Sequence, residues 1–212
     1  KSFNDGVNWK YDTLGFSSTS ILSDFIIEND KLYAVGNDMG LANIYVYNLT
    51  NSEFKIVHQE PNSSIYSITI NNGILYAVGY KDLVLTSIDG NSWQKVGLAI
   101  VDNISFQKIF NDDLNNIWIV GGNGTILLNE QNQQNWIKIN TPSSKTLYNI
   151  TFNGNKAWTV GGQGTLLYSN DNGKTWILNQ NAIFGNDNLV DISTSNSKVI
   201  IIGNSGKIYF SN

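Results

Sequence analysis

The sequence predicts an all-β fold, a five-bladed β-propeller with four antiparallel strands per blade, and three observations predict it. An apolar run ending in glycine recurs five times at near-constant spacing. Most copies are followed by a strand that opens on tryptophan. The apolar segments are short, rich in Ile, Val, Tyr and Trp, and separated by polar turns, with no stretch of helical period. All-β folds of this kind often reach 212 residues as one unit, so the whole of 1–212 is expected to be a single domain.

The second strand of each blade carries the clearest signal. Leu32-Tyr33-Ala34-Val35-Gly36 returns as Leu75 to Gly79, Ile117 to Gly121, Ala157 to Gly161 and Val199 to Gly203, the glycines lying 43, 42, 40 and 42 residues apart. An alternating run such as Tyr66-Ser67-Ile68-Thr69-Ile70 precedes it as the first strand, and a turn and a run such as Thr165-Leu166-Leu167-Tyr168 follow as the third. The fourth strand opens on Trp93, Trp136 or Trp176, with Phe54 as the variant. The blades are expected at about 20–58, 63–96, 104–139, 146–178 and 188–212. Trp9-Lys10-Tyr11 is a fourth strand without the first three, and the last repeat has three strands without a fourth. The ring is therefore expected to close by residues 7–12 completing the last blade, which leaves no unpaired sheet edge.

Composition excludes several function classes. With a net charge of −4 and pI near 4.8, the chain offers no cationic surface for nucleic acid or anionic lipid. No apolar run is long enough to cross a bilayer as a helix. Without cysteine there are no disulfides, thiolate metal sites or cysteine nucleophiles, and His58, the single histidine, supports neither a multi-histidine metal site nor a catalytic triad with a spare base. No cofactor or metal is expected. The start at Lys1 without an initiator methionine suits a processed secreted protein or a fragment of a longer chain.

Between the third and fourth strands of the fourth blade, Ser169-Asn170-Asp171-Asn172-Gly173-Lys174-Thr175-Trp176 fits the pattern S-x-D-x-G-x-T-W in full. Ser87, Asp89, Gly90 and Trp93 form a version one residue shorter, and Ser2, Asn4, Gly6 and Trp9 repeat the spacing with Asn for Asp. The physical content is local: the carboxylate accepts turn N–H groups, glycine supplies positive φ, and the indole buries to lock the hairpin. With the G-G-x-G-T turns at 121–125 and 161–165, these segments resemble the BNR/Asp-box repeat propellers. Within that group they are most similar to the photosystem II assembly and stability factor propellers and their non-photosynthetic relatives. The resemblance implies an extracytoplasmic (secreted or periplasmic) propeller that holds a protein partner. The chain departs from that family in blade number, since the family's rings have seven blades, and in having no arginine.

The function expected from these observations is a non-catalytic binding or assembly module with a protein partner; the alternative is a carbohydrate-binding lectin with a glycan ligand. Sialidase activity is excluded by the lack of arginine, because a planar guanidinium is what grips the substrate carboxylate. A glycoside hydrolase is the weaker third reading. It requires facing carboxylates, and of the acids only Asp24, Asp102 and Asp191 open innermost strands and could approach the axis. Asp112 to Asn116 is read as a polar hairpin turn, and Tyr33, Tyr76, Trp118 and Trp158 as packing between blades. A contact surface is expected on the turns between second and third strands: Tyr80, Lys81 and Asp82 put an aromatic plate, a donor and an acceptor in one turn. Asp38 lies one blade away, with Asn123 and Gln163 as polar neighbours.

Overall fold

The computed structural model describes residues 6–8, 16–99, 103–131, 133, 135–180, 182–195 and 198–211. Nineteen strands among them form five antiparallel sheets in chain order. The first sheet holds β1 (Ile21–Glu28), β2 (Lys31–Asp38), β3 (Leu41–Asn48) and β4 (Phe54–Pro61), and the second β5 (Ile65–Asn71), β6 (Ile74–Gly79), β7 (Val84–Ser87) and β8 (Gln94–Lys95). The third holds β9 (Phe106–Asn111), β10 (Ile117–Gly121), β11 (Ile126–Asn129) and β12 (Ile137–Ile139), and the fourth β13 (Leu147–Asn153), β14 (Lys156–Gly161), β15 (Leu166–Ser169) and β16 (Ile177–Leu178). The fifth has three strands, β17 (Leu189–Ser195), β18 (Lys198–Gly203) and β19 (Ile208–Phe210). Each sheet is a meander, and the first strands adjoin in the order β1, β5, β9, β13, β17, as around a shared axis.

The core lies between sheets. Tyr33, Val35, Ile44 and Val46 of the first sheet pack on Ile65, Ile68, Ala77 and Leu85 of the second, and the same arrangement repeats at the next three junctions. Trp93, Trp136 and Trp176 take part at the first three. The middle strands β6 and β10 bury both faces, which is why their sequences are continuous apolar runs instead of alternating ones. The repeat glycine has a steric cause: a Cβ on Gly36, Gly79, Gly121 or Gly161 would overlap the carbonyl oxygen of Ile21, Ser64, Ser105 or Thr146. The residue after it exploits the close approach, as when Tyr80, Gly122 and Gly162 donate their N–H to those last three oxygens.

Closure of the ring is not shown by these residues. Trp9, Lys10 and Tyr11 lie outside the described residues, as do Ser2 and Asn4. Among the described residues the fifth sheet stops at β19, whose outward side chains are exposed; on the outward face of the first sheet Phe25 is exposed, while Ala34 and Tyr45 are buried and Phe16 packs on Tyr45.

Candidate binding surface

Every first strand carries a β-bulge at the same place, opposite the end of the second strand. Bulges re-aim side chains, and here they set one residue per blade at the axial edge beside the repeat glycine. Those residues are Asp24, Ser67, Lys108, Asn149 and Asp191, paired in register with Val35, Val78, Val120, Val160 and Ile202. Their side chains form two bonded groups, one around Asp24 and one joining Asn149 to Asp191. Asp24 Oδ2 accepts from Ser67 Oγ at 2.6 Å and from Lys108 Nζ at 2.9 Å, the lysine reaching past a whole blade, and Asn149 Nδ2 donates to Asp191 Oδ1. A charged pair satisfied in this way and only partly buried fixes geometry more than it adds stability. Asp191 is exposed and also accepts from its own neighbour, Ile192 N, at 2.8 Å. Of the carboxylates expected near the axis, Asp24 and Asp191 occupy this row, and Asp102 lies outside the described residues. Ser67, Lys108 and Asn149 were not singled out from sequence. What unites them is a register position, visible only once the bulge is placed.

The turns between second and third strands lie at the same end of the blades. They bind the lead-in loop of the next blade: Asn37 Nδ2 donates to Ser63 O at 2.9 Å, Asp82 N to Ile104 O at 2.7 Å and Gly124 N to Lys145 O at 2.9 Å. Asp82 also takes the N–H groups of Asn103 and Ile104 on its two carboxylate oxygens, at 2.8 and 2.9 Å. Asp38 is occupied similarly, by Ser17 Oγ and Thr19 Oγ1 at 2.8 and 2.5 Å, and these hydroxyl donors hold its carboxyl below the usual carboxylate range. The six residues expected at a contact surface thus divide. Asp38 and Asp82 spend their oxygens on neighbouring loops; Tyr80 and Lys81 stand exposed, with the ammonium 5.1 Å from the ring centroid; Asn123 and Gln163 are exposed at turn tips in the left-handed region. Of the six, only Gln163 lines the groove on this face, a volume of about 540 Å³ between the lead-in loops of the fourth and fifth blades, with Ser143, Lys145, Gln180 and Phe184.

The S-x-D-x-G-x-T-W segment forms the turn its chemistry requires. Asp171 accepts from Thr175 N at 2.9 Å and Thr175 Oγ1 at 2.6 Å, and Trp176 Nε1 donates to Gly173 O at 2.9 Å. The Thr175 hydroxyl and N–H, with the Ser169 hydroxyl, hold the Asp171 carboxyl down at about 2. Gly173 presses on the ring of Trp118 in the preceding blade, as Gly90 does on Tyr33. In the shorter version Asp89 takes the N–H groups of Asn91 and Ser92, while the buried indole nitrogen of Trp93 has no partner. Asp112 to Asn116 is a hairpin turn: Asp112 accepts from Leu114 N, Asn116 N and Trp118 Nε1. Among the described residues no cluster of His, Cys, Asp and Glu could hold a metal ion.

The family model for the photosynthesis system II assembly factor YCF48 matches residues 138–210, the fourth and fifth blades with the end of the third. YCF48 from Cyanidioschyzon merolae superposes with a TM-score of 0.64 at 18% identity, over 86% of this chain and 64% of its own. The chain resembles the YCF48 propellers. A structure of YCF48 bound to D1 peptide matches with a TM-score of 0.56 at 17% identity, over 96% of this chain and 82% of that one. The extracellular domain of a putative one component system from B. thetaiotaomicron reaches a TM-score of 0.73 at 14% identity, over 95% and 28%. At such identities the structural likeness speaks for the propeller fold. The chain spans less than two thirds of the C. merolae YCF48. No curated protein matches the sequence.

Proposed function

We propose that the protein is a non-catalytic binding module that holds an extended segment of a protein partner across the turn face, in an extracytoplasmic setting. The observation that carries this reading is the axial row from Asp24 to Asp191, which ends in an exposed carboxylate at the same end of the blades as the polar groove beside Gln163. An extended peptide has unpaired N–H and C=O groups along its length, and a surface of fixed polar side chains over a rigid sheet scaffold suits it. Two further facts support the partner class and the setting: a YCF48 structure has been solved with a bound peptide, and one matched propeller is an extracellular domain. The reading needs five blades side by side and does not depend on whether the ring closes. Tyr80 and Lys81, exposed in the second blade, and Asn123 in the third belong to the proposed surface as its outer contacts.

The test is a displayed-peptide selection and a glycan array run on the same purified protein. Saturable peptide binding that weakens about tenfold in Asp191→Asn, the loss of one charge-assisted hydrogen bond, and by less in Gln163→Ala, the loss of a neutral one, supports the reading. Blank peptide selections with saturable glycan binding would replace it with the lectin.

A further inference from the structure

Two carboxylates stand at one repeat position of the axial row, and among the described residues a cation meets only one of them. Asp24 and Asp191 both follow the bulge of a first strand and pair with the residue before the repeat glycine, Val35 and Ile202. In each, the next residue fixes the carboxylate through its own N–H: Phe25 N donates to Asp24 Oδ1 at 3.0 Å, and Ile192 N to Asp191 Oδ1 at 2.8 Å. Oδ2 is left for other partners. In Asp24 it receives Lys108 Nζ at 2.9 Å and Ser67 Oγ at 2.6 Å. In Asp191 the further bond, from Asn149 Nδ2, also lands on Oδ1, and Oδ2 takes no hydrogen bond or ion pair from the described residues. The same carboxylate in the same backbone setting is thus filled by an ammonium in the first blade and open in the fifth.

The surroundings of Asp191 continue into the groove over the fourth blade. Tyr148, the extra residue of the β13 bulge beside Asn149, is half-buried, and its hydroxyl lies 3.6 Å from the place a Cβ on Gly162 would take. The neighbouring Gln163 donates its N–H at 3.0 Å to Asn188 Oδ1, on the lead-in to the strand that carries Asp191, and lines the groove with Lys145. Lys145 is the one charged side chain among the described residues that line it. The strip from Asp191 past Tyr148 and Gln163 is therefore negative at the axis and positive in the groove.

We propose, resting on the peptide-binding reading, that the bound segment carries a basic side chain that pairs with Asp191 Oδ2 as Lys108 pairs with Asp24, while the rest of the segment runs outward past Tyr148 into the groove. An ion pair open to water contributes little, but one covered by a bound segment contributes more and selects its partner by sign. Lys145 repels a second basic residue in the groove, so the cation is accepted at the axial end and refused beyond Gln163, which sets the register of the segment.

The test selects displayed random peptides on the parent protein and on Asp191→Lys. Peptides from the parent should share a Lys or Arg, and its replacement by Ala should weaken binding about tenfold in the parent but about twofold or less in Asp191→Asn. Asp191→Lys should select an acidic residue at that place, and exchanging the basic residue of a parent-selected peptide for Glu should recover most of the affinity that Asp191→Lys loses. Asp113→Asn, which removes an exposed carboxylate from the hairpin turn at the other end of the blades, should leave binding unchanged. If Asp191→Lys does not fold, the near-isosteric Asp191→Asn completes the comparison. Selected peptides that share no basic residue, or share one whose loss costs as much in Asp191→Asn as in the parent, would overturn the inference and leave the peptide-binding reading standing. A selection that yields no binding peptide on the parent overturns both.

Discussion

The first and fourth blades do the same structural work with different means. The first has eight-residue strands throughout, and its turn between third and fourth strands is organised by a neutral acceptor, Asn48 Oδ1, which takes Thr50 N and Asn51 N at 2.9 and 3.2 Å. The fourth has strands of two to seven residues, and the corresponding turn is held by a carboxylate, a hydroxyl, a positive-φ glycine and an indole. Long pairing replaces a special turn in one, and a special turn replaces long pairing in the other. The fourth blade is packed on both sides, while the first has a neighbour on one side only among the described residues.

Substitutions at equivalent positions sharpen that contrast. The largest difference is expected for Ile150→Lys against Phe25→Lys. Burying an ammonium between blades should cost about 4 kcal/mol or more and unfold much of the protein, whereas the change in the first blade should stay within about 1 kcal/mol, read by urea titration. Next is Gly173→Ala against Gly40→Ala. Both have positive φ, but a Cβ on Gly173 would meet the Trp118 ring at 2.6 Å and one on Gly40 meets nothing within 4 Å. Losses of about 2–4 and about 1–2 kcal/mol are expected, and equal losses would show that the ring contact yields without cost.

The smaller effects depend on pH. With its carboxyl at about 2 against an ordinary 3.8, Asp171 contributes stability that is present above about pH 4 and lost as pH falls towards 2. Asp171→Asn should lower Tm by a few degrees at neutral pH and flatten the decline between pH 4 and 2. The first blade's Asn48 turn has no such dependence, so Asn48→Asp should introduce one. Smallest is His58 of β4, whose pKa is lowered, chiefly by burial. The unfolded chain protonates first, so its contribution is lost as pH falls through about 6.5, and His58→Gln should remove that slope from a Tm profile.

The sequence made legible those features in which one residue answers a backbone demand. Gly36, Gly79, Gly121 and Gly161 mark a close approach to a neighbouring carbonyl, and the Ser169–Trp176 pattern marks a turn, so both could be read without coordinates. The axial row could not: Asp24, Ser67, Lys108, Asn149 and Asp191 share no residue type, and a bulge shifts each of them out of simple alternation. Asp82 was legible as a polar turn residue, yet its occupation by Asn103 and Ile104 depends on where the next blade's loop passes. End-face exposure at Phe25 and Ile202 was hidden because their residue types match the buried copies.

Among the described residues, the bonds from each second-to-third turn to the next lead-in loop make a linear series of nearest-neighbour couplings. Order in such a series is lost from its free ends inward, because a terminal unit has one junction to hold it and a central unit two. Amide exchange should therefore grade from slow in the third blade to fast in the first and fifth. Lys108, bonded to Asp24 two blades away, is a brace that skips a unit. It would let the first blade borrow rigidity from the third, so fraying should advance further from the fifth blade than from the first.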